Sequence, residues 1–323
     1  MYKNKKIYVA PMMQYTDKHD RFFLRIISKN VILFTEMIPT NAIIYGNKKK
    51  LLEYNQKEHP IILQVGGSNP KEISECALIA KNQFNYDGIN INVGCPSKRV
   101  ENGKFGACLM NEPEIVGKCI KEIKKITNIP ISVKCRIGLG EKQNYFFLKK
   151  FISSVSKSGC EQFFIHARNA VLSKLNPKKN RTIPPLNYEF VYRIKKDFPD
   201  LKIIINGGID NISSIKRHLE FVDGVMIGRE IYKNPFFLKQ IEEEIFNNKS
   251  IKTRKKVLEK LIPYIKKEME RNKESIQSIT RHTFGLFTGI RGSKRWKQYL
   301  NNIKFMKGNI KDIILNGVKN INE

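Results

Sequence analysis

Short, nearly continuous apolar runs recur along the first three quarters of the chain: IYVAPM (7–12), VILFTEM (31–37), IILQVGG (61–67), GININVG (88–94), ISVKCRIG (131–138), EQFFIHAR (161–168), KIIINGG (202–208) and GVMIGRE (224–230). Parallel strands covered on both faces show such runs in place of strict alternation. The segments between them carry helix signals. Asn69-Pro70 with Glu72 predicts an N-cap, a proline at the first helical position and a capping-box glutamate, and Asn111 with Glu114 repeats the device. Asn211 is placed to cap the helix after the seventh run. Strands and helices in this alternation predict an α/β fold, a (β/α)8 TIM barrel. The rival, an open doubly wound sheet, usually has fewer strands and a GxGxxG turn after the first, where this chain has PMMQYTDKH.

From about residue 246 the pattern becomes helical only, with candidates at 253–272, 274–287, 293–305 and near 309–320. The expected division is a catalytic barrel over 1–245 and a small helical domain over 246–323, joined by NNKS at 247–250. No apolar run approaches the roughly 20 residues of a membrane span, and the basic start MYKNKK lacks a signal-peptide core. A cytoplasmic monomer without membrane contact is expected. The six cysteines (76, 95, 108, 119, 135 and 160) form no CxxC pair and no zinc-ligand cluster, so reduced thiols and no metal are expected.

Charge changes the picture. There are 59 Lys and Arg against 30 Asp and Glu, and residues 246–323 alone hold 19 against 6. Net positive charge per residue is more than twice as high in the tail as in the rest, which suits a polyanionic partner such as nucleic acid.

In a barrel the C-terminal strand ends carry the chemistry. Here they read Pro11-Met12-Met13, Glu36, Gln64, Asn92 with Cys95, Lys134 with Arg136, His166 with Arg168, Asn206-Gly207-Gly208 and Gly228-Arg229. The glycines after the seventh and eighth strands allow backbone N–H groups to approach an oxyanion, and Arg229 can pair with it, which predicts a phosphate site. Gln64 offers an amide to a uracil-like ring edge, Lys134 a charge for a reduced anionic flavin, and His166 a donor to ring or phosphate. Together they favour FMN.

The segments APMMQYTD, FTEM, LQVGGSNP, ININVGCPSKRVENGKFGACLM, VKCRIG, FIHAR, NGGI and DGVMIGREIYKNP resemble the tRNA-dihydrouridine synthase family, in order and over nearly the whole chain. The NPKKNRTIPPLNY insertion and HTFGLFTGIRGSKRW are similar to the bacterial dihydrouridine synthase A subfamily, associated with uridines 20 and 20a of the tRNA D-loop. The resemblance implies FMN-dependent, NADPH-driven reduction of the uracil C5–C6 bond, with Cys95 as the acid that protonates C5. It implies FMN contacts from Pro11, Met12, Met13, Gln64, Lys134, His166, Asn206, Gly207, Gly208, Gly228 and Arg229, and places Asn92 beside the flipped base. An extruded base costs a few kcal/mol, which tRNA contacts must offset. Lys178, Lys179 and Arg181 on one side, with Arg291, Lys294 and Arg295 on the other, are the expected contacts. Trp296 and Phe287 are expected in the core rather than on RNA. The rival functions are a flavin reductase of free pyrimidines and a non-catalytic tRNA-binding protein.

Overall fold

The computed structural model describes residues 5–172, 175–248, 253–319 and 321. All eight apolar runs are strands: β1 (Lys6–Val9), β2 (Leu33–Pro39), β3 (Ile61–Gly66), β4 (Gly88–Val93), β5 (Ile131–Arg136), β6 (Gln162–His166), β7 (Lys202–Asn206) and β8 (Gly224–Ile227). They pair in parallel in the order β1-β8-β7-β6-β5-β4-β3-β2. A parallel bridge between Tyr8 and Ile32 joins the two ends, with the Val9 N–H donating to the Ile32 carbonyl and the Ile32 N–H to the Ile7 carbonyl, each at 2.9 Å. That bridge closes the ring and excludes the open sheet.

Closure splits the apolar core in two. Tyr8, Ala10, Phe34, Ile62, Phe164, Ile204 and Met226 form a small plug inside the barrel, while the other strand faces join the surrounding helices in one large outer core. Successive side chains of a strand alternate faces, so residues two beyond the plug also point inward, one layer nearer the mouth. That rule carries Ile62 to Gln64, Phe164 to His166 and Ile204 to Asn206; in β2 a register shift between Phe34 and Met37 interrupts the alternation. The polar layer sits on a packed apolar floor.

The helix starts follow local chemistry, with two departures. Asn69 caps the helix Pro70–Asn82 by accepting the N–H groups of Lys71 and Glu72. Glu72 closes no capping box, because its carboxylate accepts the Thr40 hydroxyl at 2.7 Å. Asn111 caps nothing: it ends a 3-10 turn, Gly106–Asn111, and Pro113 fixes the helix Pro113–Ile126 to begin two residues later. Asn211 does cap its helix, accepting the Ser214 N–H at 2.8 Å.

Beyond β8 the long helix Arg254–Asn272 forms as expected. The expected helix at 274–287 divides into Ile276–Thr280 and a 3-10 segment, Arg281–Gly285. Gly285 lies so close to another backbone there that a Cβ would come within 2.4 Å of the Lys233 carbonyl oxygen. Ser293–Asn302 and Ile310–Asn316 complete the region. Residues 249, 250 and 320 of the expected segments lie outside the described residues. These helices share the barrel's outer core, and Trp296 and Phe287 are buried within it. Among the described residues no helix is long and apolar enough to cross a membrane.

A dense ion network fastens the same helices to the first barrel helix, Lys18–Ile27. Asp17 caps that helix and also accepts from Arg281 at 2.6 Å and His282 at 3.0 Å. Lys18 pairs with Glu53 and Glu268, and Arg21 pairs with the buried Glu58 at 2.7 Å.

Candidate active site

Cys95 sits in the loop leaving β4, held from both sides. Asn92 Oδ1 accepts the backbone N–H groups of Gly94 at 3.2 Å and Cys95 at 3.0 Å, folding the loop back over the strand end. From the other side the Ala107 N–H donates to the Cys95 carbonyl at 3.0 Å. This contact requires the glycine before Ala107. Gly106 has φ +76°, and a Cβ there would lie 2.7 Å from the Cys95 carbonyl oxygen and 2.3 Å from Val100. The GKFGAC stretch is therefore a clamp on the cysteine loop. The thiol stays half-buried, 3.7 Å from the Ser97 hydroxyl.

The other cysteines lie elsewhere. Cys76, Cys119, Cys135 and Cys160 are buried, and burial pushes each thiol up to about 12. Cys108 is half-buried with its sulfur 3.1 Å from the Phe105 carbonyl oxygen.

Below the loop a chain of amides crosses the polar layer. Asn92 Nδ2 donates to Gln64 Oε1 at 2.9 Å, Gln64 Nε2 to Asn90 Oδ1 at 2.7 Å, and Asn90 Nδ2 to Ser132 Oγ at 2.9 Å. Gln64 is 1% exposed and engaged at both ends of its amide, so it orients Asn92 as well as bordering the mouth. A linked, satisfied network of this kind fixes its members rigidly.

Cations dominate the rest of the layer. Lys134 reaches Asn206 Oδ1 at 3.2 Å, and burial next to Arg136 lowers its ammonium to about 8. Arg136 is buried and binds only carbonyls: Gly94 at 2.9 Å, Asn169 at 2.8 Å and Asn180 at 2.9 Å. Arg168 binds the Thr182 and Pro184 carbonyls, and Arg229 donates to the Arg181 carbonyl at 3.2 Å. Burial, then Arg136, Lys134, Arg168 and Arg229, hold His166 well below the usual histidine range, so its ring is neutral. Among the described residues none of Lys134, Arg136, Arg168, Arg181 and Arg229 has a carboxylate partner. Among the described residues, the buried Nε–H groups of Arg168 and Arg181 have no acceptor.

Two glycines complete a cradle. Gly207 (φ +119°) and Gly208 (φ +69°) follow β7 in conformations that favour glycine, and a Cβ on Gly207 would come within 2.7 Å of the His166 ring. Gly228 faces Ala10 and Met12 closely enough that its own Cβ would lie 3.7 Å from the Met12 sulfur. Unpaired guanidinium groups, orphaned N–H donors and a bare backbone cradle fit a bound phosphate. Pro11 and Met12 are half-buried at the rim, and Met13 is exposed.

Of the residues expected to contact RNA, Lys178, Lys179, Arg291, Lys294 and Arg295 are exposed, and Arg181 is half-buried beside the mouth. Sequence reasoning gave no role to Arg136 or Asn180. Arg136 ties the cysteine loop to the insertion after β6. Asn180 folds that insertion, its side chain bonding Val171 in both directions and the Leu175 carbonyl. The inward period of β5, through Ser132, Lys134 and Arg136, was the available signal for Arg136; Asn180 had none.

The profile of the dihydrouridine synthase family (Dihydrouridine synthase, Dus) matches residues 8–321. The tRNA-dihydrouridine(20/20a) synthase of Vibrio cholerae is 47% identical over 298 residues, covering 92% of this chain and 90% of that protein. Its counterpart in Escherichia coli K12 is 48% identical over 295 residues, covering 91% and 85%. Among solved structures, morphinone reductase superposes with a TM-score of 0.52 at 9% identity over 73% of this chain and 85% of that one, a likeness of fold.

Proposed function

The chain belongs to the dihydrouridine synthase family, and from that premise we propose that it reduces the C5–C6 double bond of uridines 20 and 20a in the tRNA D-loop, with FMN as cofactor and NADPH as reductant. The family match and relatives named for this activity over nine tenths of the chain support the reading. The observation that carries it is the clamped Cys95 beside a group of cations without carboxylate partners.

Gly207, Gly208, Gly228, Arg229 and His166 would hold the FMN phosphate, and Pro11, Met12, Met13, Gln64, Lys134 and Asn206 would border the ring. Bound there, FMN would be the source of the hydride for C6 of the base. Everything else falls to the protein. Cys95 Sγ delivers a proton to C5, which a clamped loop allows because it fixes where the sulfur points. Asn92 holds that loop with its carbonyl oxygen and has a second amide hydrogen for the base. Lys134 is charged below about pH 8 and would stabilise negative charge on a reduced flavin ring. Lys178, Lys179, Arg181, Arg291, Lys294 and Arg295 bind tRNA phosphates, so affinity falls steeply with salt. The basic surface disfavours a free-pyrimidine reductase, which needs no such partner.

The test is to incubate the purified protein, FMN and NADPH with an unmodified tRNA transcript and map dihydrouridine by borohydride-dependent primer-extension stops. Stops at 20 and 20a that require both FMN and NADPH support the proposal. Stops at other positions overturn the assigned uridines, and no stops overturn the activity.

A further inference from the structure

The turn between β1 and the first helix is more tightly held than a rim loop requires. Gln14 adopts a left-handed φ of +67°, uncommon for a residue other than glycine. Its backbone N–H is taken by the half-buried carboxylate of Glu36, midway along β2. Thr16 Oγ1 accepts the Met12 N–H at 3.0 Å, and the Thr16 carbonyl accepts Arg21 at 3.0 Å. Asp17 is fixed by Arg281 and His282 from the helical region.

The turn directs one aromatic side chain outward. Tyr15 is 40% exposed and backed by Tyr232, with ring centroids 4.2 Å apart at 45°. Tyr232 in turn meets the His282 ring edge-on at 5.9 Å. Tyr15 lies within electrostatic reach of Arg181, whose carbonyl holds Arg229. The ring therefore stands between the cationic mouth and the helical region.

We propose that Tyr15 is a stacking platform for the nucleobase next to the extruded uridine, an inference that rests on the tRNA reading above. A uridine lifted into the mouth leaves its backbone neighbours at the rim, and strand leaving toward the basic helices crosses this turn. An exposed ring backed by a second ring, with Arg181 in electrostatic reach, has the chemistry of a base-stacking site. Glu36 and Gln14 act as positioning residues that set the ring's angle.

The experiment compares Tyr15→Ala, Tyr15→Leu and Tyr15→Trp with wild type in steady-state assays on a tRNA transcript, measuring bound FMN in each. Loss of the aromatic face in the Ala and Leu variants raises KM for tRNA about tenfold, while Trp keeps the wild-type KM and all three keep their FMN. Leu working as well as Trp, or Ala leaving KM unchanged, overturns the platform. So does loss of FMN from the Ala variant, which makes Tyr15 a support for the cofactor loop. A wild-type protein that does not reduce tRNA removes the tRNA reading, and the platform with it.

Discussion

Two clusters of charge in this molecule use similar residues in opposite ways. Where the C-terminal helices meet the barrel, cations have counterions: Arg21 with Glu58, Lys18 with Glu53 and Glu268, and Arg281 with Asp17. At the barrel mouth, Lys134, Arg136, Arg168 and Arg229 meet neutral amide and carbonyl oxygens, and among the described residues the Nε–H groups of Arg168 and Arg181 have no acceptor. Balanced charge holds two parts of the chain together. Charge left unbalanced in a half-buried layer raises the energy of the free protein and is relieved by an anionic ligand. The same excess of Lys and Arg thus has a structural use at one place and a ligand-binding use at the other.

The largest expected effect lies in the mouth. Cys95→Ala removes the proton donor, and turnover on tRNA falls on the order of 10²–10⁴-fold with FMN content unchanged, as flavin absorbance and product formation will read. Turnover within a few-fold of wild type would assign the acid elsewhere.

The next effect sets the clusters against each other. Glu58→Gln leaves Arg21 buried without its counterion and costs about 3–5 kcal/mol of stability, visible as a lowered Tm, while each folded molecule stays active. Arg229→Gln removes a cation that has no counterion, so Tm of the FMN-free protein holds steady or rises while FMN affinity falls about tenfold. Equal losses of Tm in both variants would erase the distinction.

The smallest effect is one of pH. Burial beside Arg136 depresses Lys134 to about 8, so its charge is present below that pH and lost as pH rises through it. Affinity of the FMN-free protein for FMN should therefore decline above about pH 8. A titration of Lys134→Met should lack that bend, and Lys134→Arg should carry it to higher pH.

The strands were legible because buried parallel strands are written as apolar runs, and the strand ends because period-two alternation places polar residues in one layer. The cysteine loop was legible as a motif, though its clamp was not: Gly106 matters through a contact with Cys95 that only the folded loop makes. Long-range pairings left no local trace. Asp17 and Arg281 are 264 positions apart, and Arg136 binds carbonyls 42, 33 and 44 positions away. The Asn111–Glu114 device misled because Pro113 can open a helix without a side-chain cap. Trp296 was legible as core, and it is fully buried with its indole N–H on the Thr283 carbonyl at 2.9 Å.

The central claim is that the unbalanced mouth passes reducing equivalents to a base presented by tRNA. The most direct test reduces the FMN-loaded protein with NADPH without oxygen, then adds unmodified tRNA or free uridine and follows the flavin absorbance. Rapid return of the oxidised spectrum with tRNA, and not with uridine, is the predicted result. Equal return with both would contradict it, leaving a small-pyrimidine reductase whose basic surface has some other purpose.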